Sequence, residues 1–153
     1  MIKTPRNIWQ QTGDSQRKDT KLAYQDSLHL NVHIETFRDN MAEDYEWSDL
    51  VICRAGSMTI SELMATKSVA ILIPFPYAVD DHQTQNAKKL SDVGAGLLLN
   101  EADLDANEVD NILQKLTPVE LESMTNILEK LQTENAEKVI TDYLLMPSRS
   151  NSN

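Results

Sequence analysis

At 153 residues, 41% of them hydrophobic, the chain is long enough for one packed domain and too apolar for wholesale disorder. Its 14 basic and 24 acidic residues leave a net charge of −10, which excludes non-specific binding to nucleic acid or an anionic membrane, since both need a basic surface. A single cysteine, Cys53, excludes an internal disulfide. No run of about 18 apolar residues marks a membrane span, and the opening Met1-Ile2-Lys3-Thr4-Pro5-Arg6-Asn7 lacks the apolar core of a signal peptide, so a cytoplasmic setting is expected.

Along the chain, short apolar runs alternate with longer periodic ones. Residues 8–11 read as a strand ended by Thr12-Gly13-Asp14, and residues 15–27 as a polar helix. Leu30-Asn31-Val32-His33-Ile34 alternates apolar and polar, the period of a half-buried strand, and a short helix follows over residues 40–47. Leu50-Val51-Ile52-Cys53 is unbroken apolar character, as in a buried parallel strand. Gly56 breaks it, and residues 58–66 make a helix. Val69-Ala70-Ile71-Leu72-Ile73 is the strongest strand and is halted by Pro74 and Pro76. Asp80 or Asp81 can cap a helix reaching Asp92, and Gly94-Ala95-Gly96 turns the chain into a last strand at residues 97–99.

Beyond residue 103 the pattern is helical only, over residues 106–116, 119–131 and 136–145, with Pro118 at a first-turn position. Residues 147–153 read as a disordered tail after a domain spanning residues 1–146. Strand–helix alternation predicts an α/β fold, a doubly wound parallel sheet that ends in a helical segment. Such sheets bind ligands beyond the carboxyl ends of their strands, which directs attention to the loops at residues 37–41, 54–59 and 75–82.

Two segments carry chemistry. Arg54-Ala55-Gly56-Ser57-Met58-Thr59-Ile60-Ser61-Glu62 runs from a strand into a helix. Gly56 permits a tight turn and close ligand approach, and Ser57, Met58 and Thr59 offer backbone N–H groups at the positive end of the helix dipole, suited to a diphosphate. Glu62, a turn later, suits paired sugar hydroxyls. The plainer alternative is that Thr59-Ile60-Ser61-Glu62 forms a capping box, with Glu62 merely satisfying its own helix terminus. In Pro74-Phe75-Pro76-Tyr77-Ala78-Val79-Asp80-Asp81-His82-Gln83-Thr84-Gln85-Asn86, the prolines and aromatics pre-organise a loop. Gln83 and Asn86, three apart on the following helix, present amides that both donate and accept, as a polyhydroxyl ligand requires. The alternative is two solvated residues on an amphipathic helix. His82 has neither His29 nor His33 nor a cysteine near it in sequence, so no metal site is expected, and no nucleophile–histidine pair or phosphate-binding glycine loop stands out.

Together these segments resemble the MurG-type UDP-N-acetylglucosamine transferases. The resemblance rests on Trp47-Ser48-Asp49-Leu50-Val51-Ile52-Cys53-Arg54-Ala55-Gly56-Ser57-Met58-Thr59-Ile60-Ser61-Glu62-Leu63, then Ile71-Leu72-Ile73-Pro74, then Asp80-Asp81-His82-Gln83-Thr84-Gln85-Asn86-Ala87. Gln11-Thr12-Gly13, Phe37-Arg38-Asp39-Asn40-Met41 and Ala136-Glu137 extend it over most of residues 8–145. It implies a Rossmann-like domain, the C-terminal half of a GT-B glycosyltransferase, with UDP-N-acetylglucosamine as donor. The family converts lipid I to lipid II in peptidoglycan synthesis, on the cytoplasmic face of the bacterial inner membrane. By the same resemblance Glu62 binds the ribose, Gly56, Ser57, Met58 and Thr59 line the diphosphate and sugar, and Gln83 and Asn86 read the sugar. Phe37 and Arg38 flank the uracil, Arg38 through its backbone. No cofactor, metal or catalytic residue is implied in this part.

The family's glycine-rich loop and its acceptor domain, which meets lipid I and the membrane, have no counterpart in these residues. The isolated chain is therefore expected to be inactive in transfer. Arg38 stands where relatives carry an apolar residue, and Lys67 and Val69 where the family commonly has Gly and Pro. The alternative within the family is a stand-alone donor-binding subunit that needs a separate acceptor partner. An unrelated receiver-type regulator would need an acidic pocket with a phosphorylatable Asp and a Lys, which the sequence does not place.

Overall fold

In a computed structural model the protein is described over residues 6–27, 30–77 and 81–145, with side chains to residue 134. The segment expected as a tail, residues 147–153, lies outside the described residues, as do His29 and Asp80. The chain divides into two compact units, one built on its first 48 residues with Asp105–Lys115 and one on Asp49–Leu104 with the segment from Leu116 onward.

The first unit holds β1 (Arg6–Gln11), α1 (Gly13–Tyr24), β2 (Leu30–Glu35) and α2 (Met41–Trp47). Strands β1 and β2 pair in parallel, from Arg6 opposite Leu30 to Gln11 opposite Glu35. Burial alternates from Leu30 to Ile34 as the sequence does, Leu30, Val32 and Ile34 being less exposed than Asn31 and His33. Gly13 starts α1 with φ of 69°, a left-handed torsion that costs glycine nothing, and so ends the strand sharply. The ladder runs one step past the strands, the N–H groups of Thr12 and Gly13 donating to the carbonyls of Glu35 and Thr36 at 3.0 Å each.

The second unit holds β3 (Val51–Cys53), α3 (Ser57–Thr66), β4 (Ala70–Leu72), α4 (His82–Ser91) and β5 (Leu97–Leu98), the strands parallel in the order β3-β4-β5. Central β4 is wholly buried, which is why its sequence is apolar without alternation. The same unit also buries Ala55, Ile60, Leu63, Ala87, Leu90 and Leu128. Gly96 is needed beside β4, since a Cβ there would stand 3.3 Å from the Ala70 carbonyl oxygen.

The sequence-based helix boundaries need three corrections. Residues 119–131 and 136–145 are not separate helices but one, continuing through the gap after α5 (Ala106–Lys115) as α6 (Pro118–Leu145). Gln132-Thr133-Glu134-Asn135 contains neither glycine nor proline, so nothing there interrupts the hydrogen-bond ladder. The capping box lies at the start of α6, not in α3. Thr117 Oγ1 accepts from the Glu120 N–H at 3.3 Å and Glu120 Oε2 accepts from the Thr117 N–H at 2.7 Å. Asp81 does take the N-cap position of α4, but in a left-handed conformation (φ 54°) and with no side-chain capping bond.

Candidate functional site

The turn from β3 into α3 builds the first part of the site. Gly56 is the N-cap of α3, with φ −63° and ψ 151°, an ordinary extended conformation. A tight turn at Gly56 is therefore not what the structure uses. A Cβ there would meet only Thr59 Oγ1 at 3.6 Å, so the absent side chain leaves the helix end uncovered. The first bond of the helix runs from the Ile60 N–H to the Gly56 carbonyl at 3.0 Å, and the N–H groups of Ser57, Met58 and Thr59 precede it. Ser57 is exposed and Met58 is 76% exposed.

Because α3 begins at Ser57, Thr59 already lies inside its first turn and cannot be an N-cap. The capping-box alternative for Glu62 thereby fails. Glu62 is half-buried on α3, and its carboxylate joins burial in pushing the Cys53 thiol up to about 11, burial being the larger cause. The Glu62 carboxylate is thus near enough to the end of β3 to act on Cys53.

The second motif is tied to the first. Asn86 Nδ2 donates to the Ala55 carbonyl at 3.3 Å, joining α4 to the residue before Gly56. Its Oδ1 accepts from Lys89 Nζ at 3.0 Å. Gln83 Oε1 accepts from the Phe75 N–H at 2.9 Å and so holds the loop that follows β4. Within this unit the structure therefore brings Gly56, Ser57, Met58, Thr59, Glu62, Gln83 and Asn86 to the carboxyl ends of β3 and β4.

Arg54 is a residue whose role the sequence reading missed. Its Nη1 donates to the carbonyls of Ile73 and Pro74 at 3.3 Å each and pairs with Glu101 Oε2 at 2.5 Å. Its guanidinium lies 5.4 Å from the Phe75 ring centroid, and that ring meets Tyr77 edge-on at 5.7 Å. One cation thus fixes the ends of two strands and the aromatic loop. Its partner Glu101 lies far along the chain, and no local pattern announces the pair.

Phe37 and Arg38 belong to the first unit. Phe37 is 69% exposed. Arg38 is anchored by its side chain: Nε and Nη2 donate to Asp44 at 2.8 and 2.6 Å, Nη1 to Glu35 at 3.0 Å, and the guanidinium stands 4.2 Å from the Trp9 ring. Trp9 in turn stacks on Trp47 at 5.3 Å. Polar anchoring thus fills the place for which the resemblance gives an apolar residue. The Arg38 N–H donates to Gln11 Oε1 at 3.0 Å. A groove of about 260 Å³ in the same unit, lined by Lys21, Tyr24, Gln25, Leu30, Val32 and Ile34, contains none of the residues singled out from the sequence.

Residues 2–143 match the family described as the glycosyltransferase family 28 C-terminal domain. The chain belongs to that family. It is 41% identical over 140 residues, 92% of its length, to the UDP-N-acetylglucosamine–N-acetylmuramyl-(pentapeptide) pyrophosphoryl-undecaprenol N-acetylglucosamine transferase of Vesicomyosocius okutanii, of which it covers 40%. The transferase of the same description from Methylococcus capsulatus is 48% identical over 101 residues, 66% of this chain and 28% of that protein. Among solved structures, MurG of Acinetobacter baumannii superposes with a TM-score of 0.80 at 31% identity, over 92% of this chain and 42% of that one. The Rossmann-like α/β fold read from the sequence is the fold of this MurG-type domain. The chain spans well under half the length of these relatives. Among the described residues no helix is long and apolar enough to cross a membrane, and no group of three or more His, Cys, Asp or Glu side chains is placed to hold a metal ion.

Proposed function

We propose that residues 1–146 form the donor-binding part of an inverting transferase that takes N-acetylglucosamine from UDP-N-acetylglucosamine and carries lipid I to lipid II. The observation that carries this reading is the Asn86–Ala55 bond, which sets the amide face of α4 beside the open N-terminus of α3. The diphosphate lies against the N–H groups of Ser57, Met58 and Thr59, where the helix dipole favours negative charge. Glu62 accepts from the ribose hydroxyls, Gln83 and Asn86 read the sugar, and Phe37 with the Arg38 backbone flanks the uracil.

In the reaction the acceptor hydroxyl oxygen bonds to C1 of the sugar as the bond from C1 to the diphosphate oxygen breaks. The departing electron pair leaves with UDP, and the helix terminus stabilises the charge that develops there. The acceptor proton passes to a base outside these residues, and lipid I and the membrane are met by the portion of the relatives that this chain does not match. The setting proposed is the cytoplasmic face of the bacterial inner membrane.

The test is a calorimetric comparison of UDP-N-acetylglucosamine with UDP-glucose, alongside a turnover assay with a lipid I analogue. Saturable binding that prefers the N-acetyl sugar, with no product from the chain alone, supports the reading. Equal binding of the two sugars contradicts donor specificity, and product from the chain alone contradicts the division of labour.

A further inference from the structure

Donor binding makes no use of the aromatic rings in the loop after β4. Phe75 and Tyr77 meet edge-on, with 5.7 Å between ring centroids and 71° between planes. Phe75 is fixed twice over. Its N–H donates to Gln83 Oε1 at 2.9 Å, and its ring lies 5.4 Å from the Arg54 guanidinium, itself tied to the Ile73 and Pro74 carbonyls and to Glu101. Pro74 and Pro76 restrict the backbone on either side of it. Tyr77, which rests on this framework, is nevertheless 85% exposed. In an edge-on pair at most one face of Tyr77 meets Phe75, so among the described residues at least one face is open. A ring held out in water by a fixed loop reduces the ordering that a ligand stacked on it would otherwise impose.

We infer that Tyr77 is a stacking contact for the N-acetylmuramyl ring of the acceptor, so that this chain supplies part of the acceptor site as well as the donor site. The inference rests on the donor-binding reading, which puts the donor sugar at Gln83 and Asn86. A pyranose ring has polar edges and faces lined with C–H groups. Amides take the edges, and the electron-rich face of an aromatic ring takes the C–H groups. Gln83 and Asn86 offer the first kind of contact. Tyr77 offers the second, one hydrogen bond and one ring contact away from Gln83. Transfer needs the acceptor oxygen about 3 Å from C1 of the donor sugar, so the second ring must lie against the first. Asn86 is part-buried where it meets Ala55, whereas Tyr77 stands almost wholly in solvent, as suits a contact to a molecule that arrives after the donor. Tyr77 thus adds one contact from this chain to an acceptor otherwise met by the portion of the relatives that it does not match.

The experiment uses N-acetylmuramoyl-L-alanyl-D-isoglutamine, a soluble molecule that carries this ring. It is titrated into the whole chain saturated with UDP-N-acetylglucosamine and followed by saturation-transfer NMR at the sugar C–H protons. The variants are Tyr77→Phe, which keeps the ring, and Tyr77→Leu, which keeps apolar bulk without it. The position is exposed, thermal melts check folding, and UDP and UDP-N-acetylglucosamine are titrated into each variant separately. We expect weak, saturable binding of the muramyl compound, kept within about twofold in Tyr77→Phe and weakened about three- to tenfold in Tyr77→Leu, with donor affinity equal in all three. Unchanged muramyl binding in Tyr77→Leu, or none to the unaltered donor-loaded chain, overturns the acceptor role and leaves the donor-binding reading standing. A loss in Tyr77→Leu of affinity for UDP-N-acetylglucosamine but not for UDP assigns the ring to the donor sugar and overturns the acceptor role as well. Absence of UDP-N-acetylglucosamine binding to the unaltered chain overturns the donor-binding reading itself, and this role with it.

Discussion

Asn86 and Ala55, 31 positions apart, are joined by a 3.3 Å hydrogen bond from the side-chain amide to the backbone carbonyl. The two motifs noted in the sequence are thereby one construction. Asn86→Ala leaves a part-buried carbonyl unpaired, so urea unfolding should show a loss of about 1 kcal/mol. If Asn86 reads the sugar as proposed, the same variant should weaken UDP-N-acetylglucosamine more than UDP. Equal weakening of both ligands would assign Asn86 to the fold alone.

The chain has two tryptophans, and Trp9 lies under the Arg38 guanidinium and stacks with Trp47. Arg38→Ala should therefore increase acrylamide quenching of tryptophan fluorescence. Acid should act on the same clamp. Glu35 is held below the usual carboxylate range by its hydrogen bond to His33 and then by Arg38. Stability from a lowered carboxylate is present above the ordinary carboxylate range and lost as pH falls through the lowered value. Quenching should rise over that acid interval in the unaltered chain and change less in Glu35→Gln.

Lys67 ends α3 in a left-handed conformation, φ 56°, at the position for which the resemblance gives glycine. That torsion costs a side-chain-bearing residue roughly 1 kcal/mol or more, whereas glycine adopts it freely. Against this stands an exposed ion pair from Lys67 Nζ to Glu129 at 2.6 Å, of a kind that contributes little. Lys67→Gly should raise the melting temperature and Lys67→Ala should lower it. A fall in Lys67→Gly would show that the tie to α6 outweighs the torsion.

Burial and, after it, the Glu62 carboxylate push the Cys53 thiol up from 9.0 to about 11. The folded chain then binds a proton that the unfolded chain releases. The resulting stability is full below 9.0 and is lost as pH climbs to about 11. Cys53 should react with thiol reagents at neutral pH about a hundredfold more slowly than in urea, following the thiolate fraction. Glu62→Gln removes one of the two causes and should speed the reaction.

What could be read in advance followed local rules. The β4 run, the alternation of β2 and the strand-to-helix turn at Gly56 are written in consecutive residues, so fold class and the α3 and α4 motifs were legible. The Arg54–Glu101 pair, the Asn86–Ala55 bond and the Gln11–Arg38 bond join residues 27 to 47 positions apart, and such pairings leave no periodic trace. The misplaced capping box shows a different limit. Thr59-Ile60-Ser61-Glu62 and Thr117-Pro118-Val119-Glu120 both fit the pattern, and the choice is made by where each helix starts, which the preceding strand and Pro118 decide.

The most direct test of donor binding is calorimetric titration of UDP-N-acetylglucosamine into the unaltered chain and into Glu62→Ala. Glu62 is half-buried on α3 and no longer explained as a helix cap, so its ligand role stands or falls on affinity. We expect saturable binding that weakens roughly tenfold or more in the variant, the loss from removing a carboxylate that accepts charge-assisted hydrogen bonds. Unchanged affinity in a variant that melts as the unaltered chain does would contradict a nucleotide-sugar site at the start of α3.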